Sequence, residues 1–383
     1  MTEIHGFIAP GFAGVRDAFA GNFDNGSEVG AAFSAYHRGQ KVVDLWGGVA
    51  DIDTGALWQE DSMVLVFSTT KGATALCANM LAERGELDVE APVSRYWPEF
   101  ADAGKQDMPV SYLLTHEAGL AWIDDAMTFD EALAWDPVVE RLAAEAPKWE
   151  PGTAHGYHAV TYGWLVGEVV KRISGKSLGT FFHDEVAVPL GLDWYIGLPE
   201  TQEHRVVKLI VLEAPTDEAV RAMMDLFIGP DTNLGKALGA PGGAFGDPNV
   251  FNTRAVRAAE IPSANSVGDA RSIARAYASM VGEVDGIRIL GVDQVKQAST
   301  QRTSGPNIVL MDMDIQFGLG FMVPSTMIAN RPGSFGHYGA GGSVGWADPD
   351  AELGFGYVMN RMDIGLTGDQ RSANLMKAVY AAI

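Results

Sequence analysis

Ser68-Thr69-Thr70-Lys71-Gly72-Ala73-Thr74-Ala75-Leu76-Cys77-Ala78-Asn79-Met80-Leu81 decides how the rest of this chain is read. Ala73, Leu76, Cys77, Met80 and Leu81 recur at i, i+3, i+4, i+7 and i+8, the period of a helix with one core-facing stripe. A helix from Ser68 is therefore expected, with Met63 to Phe67 as a short extended lead-in and Gly85 as its stop. Side chains three residues apart on a helix share a face, about 5–6 Å apart at Cβ. Ser68 and Lys71 stand in that relation. A lysine held there, partly desolvated and neutral, reaches the serine hydroxyl and can take its proton. About one S-x-x-K is expected by chance in a chain of this length, so its surroundings must carry the rest.

Bulk properties narrow the classes. The chain has 383 residues, 47% of them apolar, and 45 glycines, which suits a globular protein with a substantial core and many turns. A net charge of −22 argues against nucleic acid or an anionic membrane surface as partner, and reads as a solvated acidic exterior. Cys77 is the only cysteine, so no intramolecular disulfide is available, and its place on the stripe reads as core. Met1 to Gly6 lacks a basic and a long apolar region, and no run of 18 apolar residues occurs. A cytoplasmic location without a membrane span is the expectation.

Strand signals gather at the two ends. Val29 to Tyr36 and Lys41 to Gly47 flank Arg38-Gly39-Gln40, a hairpin pattern, and Phe317 to Val323, Gly342 to Ala347 and Gly354 to Met359 follow late in the chain. Between residue 85 and about 200 the patterns are helical: Val110 to Leu114, Thr128 to Ala134, Pro137 to Glu145, Thr161 to Ser174 and Ser177 to Val186. Residues 200–262 are rich in Gly, Pro, Asn and Asp, with one helix near Glu218 to Phe227. Val267 to Val281 reads as a helix, and a closing helix runs from about Asp369, burying Leu375, Met376, Val379, Tyr380 and Ile383. The expected organisation is a sheet domain from 1–85 plus 263–383, a mostly helical lobe at 86–262, and a site between them.

Three further segments bear on chemistry. Leu113-Leu114-Thr115-His116-Glu117-Ala118-Gly119-Leu120 resembles the L-L-T-H-T-S-G-L loop of S-x-x-K hydrolases. Pro151-Gly152-Thr153 followed by Tyr157 resembles their P-G-T…Y-S-N segment. Gly336-His337-Tyr338-Gly339-Ala340-Gly341-Gly342 resembles the strand motif that reads K-T-G in β-lactamases and H-x-G or W-x-G in relatives. With Ser68-Thr69-Thr70-Lys71 these four motifs, in order, resemble the β-lactamase-like serine hydrolase superfamily. Within it the chain looks like the class C-related carboxylesterases, family VIII. The resemblance spans nearly the whole chain and is densest over 62–120, 147–195 and 263–360.

That resemblance implies a β-lactamase/transpeptidase-like fold, an antiparallel sheet flanked by helices with a mostly helical inserted lobe. It implies that Ser68 forms an acyl-enzyme on a small to medium carboxylic ester, with Lys71 and Tyr157 sharing general base and acid work. The backbone N–H groups of Ser68 and Ala340 would hold the oxyanion. His337, Tyr338, Gly339, Trp122 and His158 are expected at the substrate. No metal or organic cofactor is required. The assembly is left open between monomer and homo-oligomer. Two departures favour an ester over a penicillin: Tyr157-His158-Ala159 replaces Tyr-Ser-Asn, and His337 stands where a lysine receives the carboxylate of β-lactams. β-Lactamase or D-amino-acid peptidase activity is the alternative on the same fold.

Other patterns carry less. Gly341-Gly342-Ser343-Val344-Gly345 matches G-x-S-x-G, but Trp346-Ala347-Asp348-Pro349 and another strand follow where that motif needs a helix, so Ser343 reads as a strand or turn residue. Tyr162 falls in a helical apolar pattern and reads as core. His155 and His158 have i, i+3 spacing without a third ligand, and no metal site is assigned.

Overall fold

A computed structural model describes residues 2–212, 216–328 and 330–383. In chain order its strands are β1 (Ile4–Ile8), β2 (Gly30–His37), β3 (Gln40–Asp51), β4 (Ala56–Leu57), β5 (Val64–Leu65), β6 (Trp194–Tyr195), β7 (Val267–Gly268), β8 (Gln316–Phe317), β9 (Met322–Val323), β10 (Phe335–Tyr338), β11 (Val344–Asp348) and β12 (Leu353–Met359). The main sheet runs β1-β3-β2-β12-β11-β10-β9-β8, with β4 on β3, and its pairings are antiparallel. The two ends of the chain meet at β2 and β12, in register from Leu353↔His37 to Met359↔Ala31. The β2–β3 turn is the expected hairpin. His37 pairs with Gln40, and Arg38 and Gly39 both take positive φ, 51° and 73°, the hairpin turn whose twist matches its strands.

Glycines set how closely the helix Ala270–Val281 lies on this sheet. A Cβ on Gly354 would sit 2.6 Å from the Ala278 Cα, and one on Gly356 2.9 Å from the Ala274 nitrogen. The helix backbone therefore rests directly on β12. Gly354→Ala is expected to lower stability by about 3 kcal/mol, because the obstacle is backbone and does not rotate away. A urea melt checks this; an unchanged midpoint would contradict it.

A second, three-stranded sheet in the order β5-β7-β6 ties the approach to Ser68 to residues 194–195 and 267–268. Between 86 and 262 the described residues form helices and turns, with β6 their one strand. Among the described residues no helix is long and apolar enough to cross a membrane.

Several expectations are refined. The helix Thr70–Glu83 is buried all round from Thr70 to Leu81 rather than along one stripe, because helices, the Ser68 turn and β10 enclose it. Val267 to Val281 is not one helix: β7 comes first, then Asp269 accepts the Ser272 N–H and caps Ala270–Val281. Phe317 to Val323 is a hairpin of two short strands. Ser177 to Val186 is a helix, Leu178–Phe182, that passes into a wider π turn at His183–Ala187. The closing helix Gln370–Ala382 buries Leu375, Met376 and Val379, whereas Ile383 is 41% exposed. β1 and the helix Ala13–Asp24 have no counterpart among the expected elements.

Candidate active site

Ser68 lies in a tight 3₁₀ turn, Phe67–Thr69, that runs into the helix Thr70–Glu83. Phe67 just before it takes a φ of +44°, a strained conformation for a bulky side chain. The Phe67 ring is held by Phe251, centroid to centroid 5.0 Å. The turn leaves Ser68 half-buried, beside Tyr157 and Ala340 in the wall of a cavity of about 200 Å³.

Lys71 has no exposed surface, and its Nζ is 3.2 Å from Ser68 Oγ. The same Nζ donates to Ala159 O at 2.5 Å and to Ser263 O at 2.9 Å. Burial holds its pKa well below the ordinary lysine value. A neutral amine has two N–H donors and one lone pair. With two N–H groups taken by carbonyls, the remaining position on Nζ faces the serine hydroxyl.

Tyr157 completes the group. Lys71 Nζ lies 4.8 Å from the centre of its ring. Burial pushes the phenol above its usual range, and the Ser68 side chain opposes this only in part. Burial thus works against a standing tyrosinate at Tyr157.

The tyrosine is placed by distant parts of the chain. Asn307 Oδ1 accepts its backbone N–H at 3.0 Å. The Leu113–Leu120 motif serves the same end: Gly156 N–H donates to His116 O at 2.9 Å, His158 N–H donates to His116 Nδ1 at 3.1 Å, and Leu120 N–H donates to His158 Nε2 at 2.9 Å.

The strand motif approaches from the sheet. Ser343 Oγ donates to Val66 O at 2.8 Å and lies 3.0 Å from Thr69 Oγ1. A Cβ on Gly339 would collide with Val66 O and Ser343 Oγ. The end of β10 is thus latched onto the Ser68 turn, which brings Ala340 to the same cavity as Ser68. Ser343 is the latch. It is 1% exposed, which agrees with its reading as a turn residue.

Among the described residues, none of His337, Tyr338, Gly339, Trp122 and His158 lines this cavity. His158 is fully buried with both ring nitrogens engaged, Nε2 by Leu120 and Nδ1 by Gly156 O at 2.7 Å, and so binds loop to loop. His337 is also fully buried and stacks behind Tyr157, with its Nδ1 2.7 Å from Tyr338 O. Burial and the nearby Lys71 push its imidazole down to about 3, so it carries no charge at neutral pH. Tyr338 points across the sheet onto Trp346, Gly339 meets the Ser68 turn, and Trp122 donates to Asp124. The walls come instead from residues that sequence reasoning did not place, among them Leu238, Phe245, Phe251, Met362 and Leu366. Leu238, Phe245 and Phe251 stand in the 200–262 stretch rich in Gly, Pro, Asn and Asp, and Met362 and Leu366 follow β12.

The sequence matches the Beta-lactamase family over residues 15–378. It is 36% identical over 373 residues to the "Esterase/beta-lactamase LipL" of Mycobacterium tuberculosis, covering 94% of this chain and 83% of that protein. The fold is similar to a crystal structure of a family VIII carboxylesterase, with a TM-score of 0.89, 38% identity and 100% of each chain covered. A penicillin-binding protein homologue from Caulobacter crescentus gives the same TM-score at 35% identity, again over 100% of both chains.

Proposed function

This chain belongs to the Beta-lactamase family of serine hydrolases, and on that premise we propose that it is a carboxylesterase for small to medium, uncharged esters. One observation carries the choice of substrate: among the described residues lining the cavity at Ser68, none is charged. A carboxylate on the substrate would enter without a cation to receive it, and an unpaired buried charge costs several kcal/mol. His337, where a lysine would offer that cation, is neutral and is not among the residues lining the cavity.

In this reading the Ser68 hydroxyl passes its proton to the Lys71 amine as Oγ attacks the ester carbonyl. The N–H groups of Ser68 and Ala340 stabilise the oxyanion, aided by the helix N-terminus behind Ser68. The proton then moves by way of Tyr157 to the leaving alcohol. Water then attacks the acyl carbonyl as Lys71 and Tyr157 take its proton, the bond to Ser68 Oγ breaks, that proton returns to Oγ, and the acid departs. The chemistry calls for no metal or organic cofactor, and the reading includes a cytoplasmic location and a small ester as partner.

The second reading, turnover of β-lactams beside esters, is supported by the relative whose name carries both activities. One experiment separates them. p-Nitrophenyl acetate, butyrate, octanoate and palmitate are assayed beside nitrocefin. The short esters are expected to exceed nitrocefin in kcat/KM by about a hundredfold or more, the factor that about 3 kcal/mol of unpaired charge implies. Comparable values would promote the β-lactam reading.

A further inference from the structure

Arg371 stands outside the cavity yet holds one of its walls. It is the second residue of the helix Gln370–Ala382, and its side chain is 3% exposed. Its Nη2 donates to Gly341 O at 2.6 Å and to Asp369 Oδ2 at 2.5 Å, and Nε donates to the same oxygen at 2.9 Å. Nη1 donates to Arg361 O at 2.8 Å and reaches Ser27 O and Glu28 Oε2 at 3.4 Å each. Glu28 is itself buried and hydrogen-bonded to Tyr357.

Gly341 follows Ala340 directly. The turn Gly339-Ala340-Gly341-Gly342 has three glycines, and Gly341 and Gly342 take φ of +86° and +125°. Such a segment has more backbone freedom than any other composition allows. An oxyanion donor needs the opposite, a dipole fixed before the reaction begins. The turn is fixed from two sides. Ser343 Oγ latches its far end to Val66 O, and Arg371 grips the carbonyl next to Ala340. A Cβ on Gly342 would lie 2.6 Å from Arg371 Nη2, so the turn sits directly on the guanidinium. Burying a cation beside the Asp369 carboxylate and the Glu28 carboxyl, whose pKa burial pushes up to about 8, is a poor way to gain stability, since apolar packing of equal volume does as well or better. What a planar fork supplies is direction.

We propose that Arg371 is a positioning residue for the oxyanion hole, acting through the Gly341 carbonyl on the Ala340 N–H. The proposal rests on the reading that this N–H receives the oxyanion. R371K keeps the charge but loses the fork, and R371M loses both. In the full chain, kcat for p-nitrophenyl butyrate is expected to fall about tenfold in R371K and about a hundredfold in R371M, with KM little changed. Affinity for an alkylboronic acid, which mimics the tetrahedral state, should fall by the same factors. Inhibition by butyrate, which does not, should stay as it is.

Folded variants that keep kcat and boronate affinity within twofold would overturn the proposal. So would loss of folding in both, which would make Arg371 purely structural. A failure of the underlying reading looks different: the unmodified protein would then bind boronate no more tightly than butyrate.

Discussion

Ser68→Ala is expected to reduce ester hydrolysis by at least about 10⁴-fold while leaving the melting temperature nearly unchanged. The first half follows from the place of Ser68 Oγ, in the cavity wall and 3.2 Å from the buried Lys71 amine. Ser343, the other serine in a hydrolase-like pattern, is buried and donates to Val66 O. The second half follows from what Ser68 does for the fold, which is little. It is half-buried, and its loss leaves the two carbonyl hydrogen bonds of Lys71 intact. Steady-state kinetics with p-nitrophenyl butyrate and a thermal melt read the two halves separately. Retained turnover in a pure, folded variant would remove Ser68 from the chemistry.

Lys71→Ala is expected to cost several orders of magnitude in kcat and to remove a limb of the pH profile. Burial depresses the lysine pKa, so the amine is available as a base far below the range of an exposed lysine. Activity should rise with pH through that depressed value and then level. Without the amine this acid limb disappears. Stability runs in the same direction. The unfolded chain binds a proton at Lys71 that the folded chain rejects, so below the unfolded pKa of about 10.4 the lysine subtracts stability. The penalty grows as pH falls toward the folded value, then stays constant. Stability relative to Lys71→Met should therefore improve as pH rises through that window. A loss under tenfold, or an acid limb that survives in Lys71→Ala, would mean that another group is the base.

The parts of this account that were legible in the sequence were the local ones. Ser68 and Lys71 are three residues apart, so helix periodicity alone put them on one face. The β2–β3 hairpin announced itself by a two-residue turn containing Gly39. What encloses the Lys71 amine was not legible, because its acceptors, Ala159 O and Ser263 O, lie 88 and 192 residues further along. The burial of the expected substrate contacts was hidden for a similar reason. Alternation along β10 sends His337 and Tyr338 to opposite faces, but both faces are covered, and nothing local says which one meets solvent. His158 sits two residues from Gly156, whose carbonyl it holds, and that ring contact leaves no periodic trace. The cavity walls were hidden for another reason. Leu238 and Phe251 belong to a short helix and a 3₁₀ turn, Asn233–Gly239 and Pro248–Asn252, too brief to set up a hydrophobic period. The strained φ at Phe67 is invisible in a sequence, since the glycine or asparagine that usually marks a positive φ is absent there.

The central claim is that one serine becomes acylated. The most direct test is to treat the protein with a p-nitrophenyl alkylphosphonate and locate the adduct by peptide mass spectrometry. One adduct per chain on Ser68, forming in step with loss of ester turnover and absent in Ser68→Ala, is the predicted result. An adduct on Ser343 or any other residue, or full inactivation with Ser68 unmodified, would contradict it.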